Sequence, residues 1–379
     1  MKALTKLAVT LILGLSLVCS LPGAKAAGKK KRPQIQMAIL LDTSSSMNGL
    51  IDQAKTQLWK VVNEFITSKK SGLRPTIEVA LYEYGKSSIP KGENYLRMIT
   101  PLTTDLDKVS EELFALRTNG GQEYCGTVIQ AATGGLKWSK SNKDLKVIFI
   151  AGNEPFTQGP VDYRKAVKEA ISKGIIVNTI HCGTNQAGIS GKWKDGALLA
   201  DGRFLNIDQN RKVLHIAAPQ DKEIARLGQE MNKTYIGFGS RGKKAKMRQA
   251  AQDSNASSAA KGSMAQRAVY KSSGNYSNAG WDLVDAEKEG KVKVEEMAEE
   301  ELPAEMKKID KSKRKEYVAG KRKDRAKIQE KIKKLNAERK KFVAKKRKEM
   351  SKAGGQDTLD SAMIKTVREQ ATKKNFKFE

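Results

Sequence analysis

The pattern of apolar and polar residues predicts strands that alternate with helices between residues 33 and 240. Six apolar stretches have the length and residue types of strands. The first has no polar alternation, which indicates a strand buried on both faces. The predicted strands are Gln36–Leu41, Ile77–Tyr84, Tyr95–Leu102, Val147–Ile150, Ile175–His181 and Phe204–Ile207.

Apolar residues recur at helical spacing between these strands. After Gly49, for example, Ile51, Ala54 and Leu58 begin a stripe that fits one face of a helix, and Asp105 is a predicted helix N-cap. The predicted helices lie near residues 49–65, 105–116, 126–138, 163–173 and 221–231. Strands joined through helices predict an α/β fold with a doubly wound, mainly parallel, Rossmann-like sheet. Ligands of such sheets bind beyond the carboxyl ends of the strands.

The remaining chain divides into two further segments. Ser, Ala, Gly, Asn and Lys dominate residues 241–280, where helical periodicity is lost, so this segment is predicted to be a low-complexity linker. Residues 281–379 are charged and predicted to be largely helical. Within them the seam of a coiled coil is suggested by the spacing of Ile328, Ile332, Leu335 and Phe342, and it is interrupted by Arg339 and Lys346.

Basic residues are concentrated near the C-terminus. The chain carries a formal charge of +29, and residues 307–352 alone hold 22 basic and 6 acidic side chains. This segment either contacts an anionic envelope surface or another polyanion, or is a solvated charged helix. Nucleic acid is a disfavoured partner because base-stacking aromatic residues are scarce there and the protein is predicted to be exported.

Residues 1–26 have the layout of a secretory signal peptide. Lys2 and Lys6 precede the apolar stretch Leu7–Val18, and Ala24-Lys25-Ala26 supplies small residues for cleavage. We therefore expect a periplasmic or extracellular protein, with an N-terminal membrane anchor as the alternative. No later apolar stretch predicts a transmembrane helix.

Export leaves two cysteines, Cys125 and Cys182. In an oxidising compartment such a pair forms a disulfide or remains as two small buried side chains, and the sequence favours neither. With two histidines in the whole chain, the composition argues against a His-rich or multi-Cys zinc site.

The most informative motif follows the first predicted strand. Asp42, Ser44 and Ser46 form a D-x-S-x-S pattern. In a turn that leaves a strand, such alternate side chains can converge and offer one carboxylate and two hydroxyl oxygens to a hard divalent cation. Helix capping is the alternative, because Asp and Ser are also preferred at a strand-to-helix junction.

The motif and its surrounding order of strands and helices resemble the von Willebrand factor type A domain, over about residues 33–240. The resemblance implies a divalent cation at the metal-ion-dependent adhesion site (MIDAS), with Mg²⁺ favoured and Ca²⁺ or Mn²⁺ as alternatives. It also implies a protein partner whose acidic side chain completes the coordination.

Two further loops depart from the family pattern. The second loop has Gln122 and Glu123 after its glycines, where the family has Thr. The third has Ala151-Gly152 where the family has Thr-Asp, followed by Glu154. Gln122, Glu123 and Glu154 are therefore candidate replacement ligands, direct or through water, and a site that binds metal weakly or not at all is the alternative.

Three functions compete at this point. The first is an exported, non-enzymatic interaction module with a cation site. The second is a metal-independent structural or polyanion-binding envelope protein that uses the same fold as a scaffold. The third, least favoured, is a hydrolase that uses Glu123 and Glu154 as an acid–base pair.

Overall fold

A six-stranded sheet organises the fold. The computed structural model describes residues 32–207, 216–260, 262–352 and 359–378, so the expected signal peptide at 1–26 lies outside the described residues. The strand order is β4-β3-β1-β5-β6-β7, and β2 pairs with β8 in a separate two-stranded sheet. The strands are β1 Gln34–Asp42, β2 Ser68–Lys69, β3 Thr76–Tyr84, β4 Leu96–Thr103, β5 Leu145–Gly152, β6 Ile176–Cys182, β7 Phe204–Ile207 and β8 Lys377–Phe378.

Helices cover both faces of the six-stranded sheet. One face packs against α3, α4 and α6, and the other against a layer built from α1, α2, α7, α9, α12 and α13. The helices are α1 Asn48–Ile66, α2 Leu106–Ala115, α3 Cys125–Gly135, α4 Tyr163–Ser172, α5 Asn185–Ser190, α6 Trp193–Leu198, α7 Asp221–Asn232, α8 Gly239–Ala259, α9 Ser263–Lys271, α10 Leu283–Lys288, α11 Ala304–Lys307, α12 Arg314–Lys352 and α13 Leu359–Lys373.

The predicted α/β class and doubly wound sheet are confirmed. β1 pairs in parallel with both β3 and β5, and its central position explains its continuous apolar sequence. Only β4, at the sheet edge, pairs antiparallel among these six described strands. The Asp105 carboxylate accepts a hydrogen bond from the Lys108 N–H at 3.1 Å, so the predicted cap of α2 is also present.

The expected linker at 241–280 is wrong as a structural prediction. This segment contains most of α8 and all of α9. In α9, Ala265, Ala268 and Tyr270 pack into the same core as α1. The sequence did not predict this packing because α9 also buries two cations, Arg267 and Lys271, which are 0% exposed.

The basic helix α12 is docked on the domain along one side. Ile332 is buried and Ile328 and Leu335 pack beside it against the core of α7 and α9, so the predicted seam contacts the chain's own helices instead of a coiled-coil partner. Arg339, which interrupts the seam, is also buried and forms an ion pair with Asp221 of α7. A charged residue in this pattern can therefore also face the core, as Arg339 does.

The two cysteines are free thiols. Cys125 lies in the core on one face of the sheet and Cys182 in the core on the other, and both are buried. Burial raises the pKa of each thiol, which keeps both neutral and unreactive. Within the described ranges no helix is both long and apolar enough to cross a bilayer.

Candidate metal centre

Asp42 lies at the point in the sheet where the strand order reverses, because the strands that follow β1 are added first on one side of it and then on the other. It is the last residue of β1 and is paired in register with Tyr84, the last residue of β3. On the other side of β1, Leu41 pairs with Ala151 near the end of β5. Because β1 has parallel neighbours on both sides, the loops after β1 and β5 meet beside Asp42. This is the position at which doubly wound sheets bind ligands.

Oxygen atoms converge in the loop after β1. The Ser44 N–H donates to Asp42 Oδ1 at 2.7 Å, and the hydroxyls of Ser44 and Ser46 lie 3.2 Å apart. Adjacent ligands on an octahedral Mg²⁺ ion are about 2.9 Å apart, so the two hydroxyls are spaced nearly as a shared cation requires. Asp42 and Ser44 are buried whereas Ser46 is exposed, so the cluster opens towards solvent.

The second Asp42 oxygen lacks a partner. Oδ2 is buried and accepts no hydrogen bond, which is costly for an ionised carboxylate. Burial raises the pKa of Asp42 to about 7; the hydrogen bonds from Ser44 oppose this shift, and the negative charge of Glu154 adds to it. A bound cation would favour the ionised carboxylate, because opposite charge offsets the cost of desolvation.

Glu123 reaches the same region from the second loop. Its side chain is buried and Oε2 has no hydrogen-bond partner, while its backbone N–H donates to Gln158 Oε1 at 2.6 Å. Asp42 Oδ1 and Glu123 Cγ each lie 2.7 Å from the position that a Cβ on Gly85 would occupy. Only glycine leaves the two acidic side chains this close, and its φ of +79° suits glycine as well.

The other two predicted replacement ligands are less well placed. Gln122 is exposed beside Glu123. Glu154 is half-buried, and its carboxylate is near enough for its charge to affect Asp42. The backbone oxygen of Glu154 accepts from Trp193 Nε1 at 2.8 Å, which fixes the third loop.

Sequence reasoning missed Asn153 as a site residue. Its Nδ2 donates to Ser46 Oγ at 3.3 Å, and its Oδ1 is buried with no hydrogen-bond partner. The available signal was its position directly after β5, the strand beside β1. Asn153 thus adds a third buried, unpartnered oxygen to those of Asp42 and Glu123.

Tyr84 explains why the third loop has no Asp. A Cβ on Gly152 would lie 2.5 Å from the Tyr84 hydroxyl oxygen and 3.2 Å from Asp42 Cβ. The hydroxyl is held by its hydrogen bond to the Ala151 carbonyl, at 2.9 Å. Tyr84 therefore fills the space into which an acidic side chain at position 152 would extend.

The donor set fits a hard divalent cation. Three buried oxygens lack partners and two hydroxyls converge beside them, and oxygen is the ligand that Mg²⁺, Ca²⁺ and Mn²⁺ prefer. Across the described part of the chain, no three His, Cys, Asp or Glu side chains form a cluster suited to a metal. Any cation at this loop would therefore depend on the hydroxyls of Ser44 and Ser46 as well as on Asp42.

Comparisons with known proteins give the fold a family. The von Willebrand factor type A domain model matches residues 36–190. No curated protein matches the chain in sequence.

Similar solved structures share little sequence with the chain. BatB from Bacteroides thetaiotaomicron is 16% identical over 46% of this chain and 90% of its own, with a TM-score of 0.36. The SpRpn10 VWA domain is 18% identical over 46% and 88%, with a TM-score of 0.35. Proximal thread matrix protein 1 from the mussel byssus, in a structure with a zinc-occupied MIDAS motif, is 11% identical over 48% and 43%, with a TM-score of 0.35.

The sheet, the loop after its first strand and the family match agree: the chain contains a von Willebrand factor type A domain.

Proposed function

We propose that the protein is an exported interaction module that binds a protein partner through a divalent cation, with Mg²⁺ as the favoured ion. The observation that carries this proposal is the buried, unpartnered Asp42 Oδ2 beside the two converging hydroxyls of Ser44 and Ser46. The cation would supply a positive centre for an acidic side chain of the partner.

Each residue of the site would supply a different group to the cation. Asp42 supplies the negative charge, and its Oδ1 orients the loop through the Ser44 N–H. Ser44 and Ser46 supply neutral oxygens, and Ser46 lies on the exposed side from which a partner would approach. Glu123 and Glu154 add negative charge near the site, directly or through water.

Export is part of the same proposal. It is supported by the signal-peptide layout of residues 1–26, with Lys2 and Lys6 before an apolar stretch and Ala24-Lys25-Ala26 after it. The protein would then meet its partner in the periplasm or at the cell surface.

The test is partner capture with and without cation. Immobilised full-length mature protein is incubated with an envelope extract in Mg²⁺ or in a chelator, alongside Asp42→Asn and Ser45→Ala variants. Ser45 is exposed in the same loop and is a matched control. We expect a partner retained by wild type and Ser45→Ala in Mg²⁺ and lost with chelator or Asp42→Asn. Retention in all four conditions would contradict the cation mechanism.

A second function rests on the exposed side of α12. Because the opposite side is docked, Lys323, Lys327, Lys334 and Lys341 are left exposed along the helix, and such a surface attracts polyanions. In this alternative the domain is a metal-independent scaffold at the envelope. Retention on an anionic matrix should fall steeply with salt and should be unchanged by Asp42→Asn; salt-insensitive retention would exclude it.

A further inference from the structure

A groove separates α12 from the ends of α1 and α9. Its volume is about 600 Å³, within the range of about 300–1,000 Å³ for small-molecule sites. Ile66 and Val269 form an apolar floor, and Ser272 borders it at the end of α9. The groove involves none of the residues of the loop that contains Asp42.

One side of α12 supplies polar groups to this groove. Gln329, Lys333, Asn336 and Lys340 all line it, and their spacing of four, three and four residues places them on one helical face. These are two cations and two amides, a set able to donate several hydrogen bonds to an anion.

Positive charge exceeds negative charge in the groove. Arg74 faces α12 from the opposite wall, where its Nη1 donates to the Ile66 carbonyl at 3.0 Å. Glu330 is the one carboxylate among the lining residues, and it lies 3.9 Å from Lys333 in an exposed pair. Exposed pairs of this kind contribute little, so three cations face one weakly engaged carboxylate.

Lys340 lies near a carboxylate that is already paired. Glu64 of α1 is already bound by Arg368 of α13, with Nε 2.6 Å from Oε1. Burial lowers the pKa of Lys340, and Arg368 lowers it further against the attraction of Glu64. Nearby on α1, burial lowers the pKa of Lys60 to about 7, with contributions from Arg347 and Arg339. An anion beside Lys340 would favour the charged ammonium, because opposite charge offsets the cost of desolvation.

We propose that the groove binds an organic phosphate, with its phosphoryl group between Lys333, Lys340 and Arg74 and its apolar part on Ile66 and Val269. Lysine and arginine are the side chains that bind phosphate, as a point charge and as a fork of donors respectively. The phosphate belongs either to a soluble compound or to a lipid headgroup.

Calorimetric titration of the full chain with phenyl phosphate and with inorganic phosphate tests the groove. We expect phenyl phosphate to bind more tightly because its ring adds apolar contact. Lys333→Ala/Lys340→Ala should weaken binding at least about tenfold, since it removes two side chains that can make charge-assisted hydrogen bonds to the phosphate. Lys331→Ala/Lys345→Ala removes the same charge from exposed positions of the same helix that do not line the groove, and should change the affinity less than about twofold.

The outcomes distinguish binding of phosphate in the groove from general attraction of anions to the basic helix. Equal loss in the two double variants, or no binding of phenyl phosphate to wild type, would overturn the proposal. Asn336→Asp provides a second check, because it adds negative charge to the groove while preserving side-chain size; it should weaken binding as well. Vesicles of neutral and anionic phospholipid form the last arm. Vesicle binding lost only in Lys333→Ala/Lys340→Ala identifies a headgroup, whereas phenyl phosphate binding without vesicle binding identifies a soluble ligand.

Discussion

Two of the sites at which the molecule buries acidic side chains treat them differently. Between α2, α8 and α9, Asp107 and Asp253 both bind the fully buried Arg267. At the carboxyl edge of the sheet, Asp42 and Glu123 are also buried, yet each keeps an oxygen without a hydrogen-bond partner. We call the first pair the complete set, because cations of the same chain neutralise its carboxylates. The second pair is the incomplete set, because each carboxylate keeps an unpartnered oxygen.

The pKa values follow this difference. At Asp253, burial favours the neutral acid, but Lys271 and Arg267 outweigh it and lower the pKa. At Asp42, burial is not offset and the pKa rises to about 7. Buried carboxylates are therefore structural where cations of the same chain complete them, and indicate a ligand site where nothing does.

The largest expected effect comes from breaking the complete set. Arg267→Ala leaves Asp107 and Asp253 buried without their shared cation and should reduce the free energy of unfolding by about 3–5 kcal/mol. Arg226→Ala removes an exposed arginine that pairs with Glu223 and should cost far less, because exposed ion pairs contribute little. Urea unfolding measures both, and similar losses would contradict the distinction.

A comparable effect is expected from titrating the incomplete set. In cation-free protein Asp42 keeps its proton up to pH about 7, whereas the unfolded chain releases it near 3.8. The stability that Asp42 contributes is therefore full below pH 4 and lost as the pH rises to 7, by up to about 4 kcal/mol.

Asp42→Asn removes this titration. Urea unfolding between pH 4 and 8 in chelator should show a steeper decline for wild type than for the variant. Equal slopes would show that Asp42 is not the titrating group.

A smaller effect tests why the third loop lacks its acidic residue. Gly152→Asp brings a Cβ within 2.5 Å of the Tyr84 hydroxyl and should destabilise the fold by about 1–3 kcal/mol. Tyr84→Phe in the same chain should recover part of that loss, because it removes the clashing oxygen. Thermal unfolding of the two single variants and the double variant measures this coupling; strictly additive losses would contradict it.

The smallest change in stability is expected at the exposed end of the site. Ser46→Ala should alter the free energy of unfolding by no more than about 0.5 kcal/mol but should weaken Mg²⁺ binding, since it removes one of two converging hydroxyls. Ser45→Ala, at the exposed neighbouring position, should change neither quantity. Equal Mg²⁺ affinity in the two variants would remove Ser46 from the site.

The regular part of the domain was predictable because its sequence is simple. β1 is apolar throughout and central, and the expected β7 has the observed bounds. Polar segments were harder to predict, since α9 has the composition of a linker. Its contacts with Asp107 and Asp253 in the structure show that Arg267 and Lys271 belong to a core.

The site was partly predictable for a similar reason. Asp42, Ser44 and Ser46 lie within five residues of one another, so a local motif identifies them. Tyr84, at the end of β3, and Asn153, in the loop after β5, reach the site from other parts of the sheet, and their roles depend on the register of β1 with β3 and β5. A single sequence does not give that register.

We propose that Asp42 and its loop bind a divalent cation, and calorimetric titration of the full-length protein with Mg²⁺ at pH 8 is the sharpest test of this site. Above the pKa of Asp42 the carboxylate is ionised and available. We expect one Mg²⁺ bound per chain, with binding abolished by Asp42→Asn and preserved by Ser45→Ala. Equal Mg²⁺ binding by wild type and Asp42→Asn, or none by wild type, would contradict it.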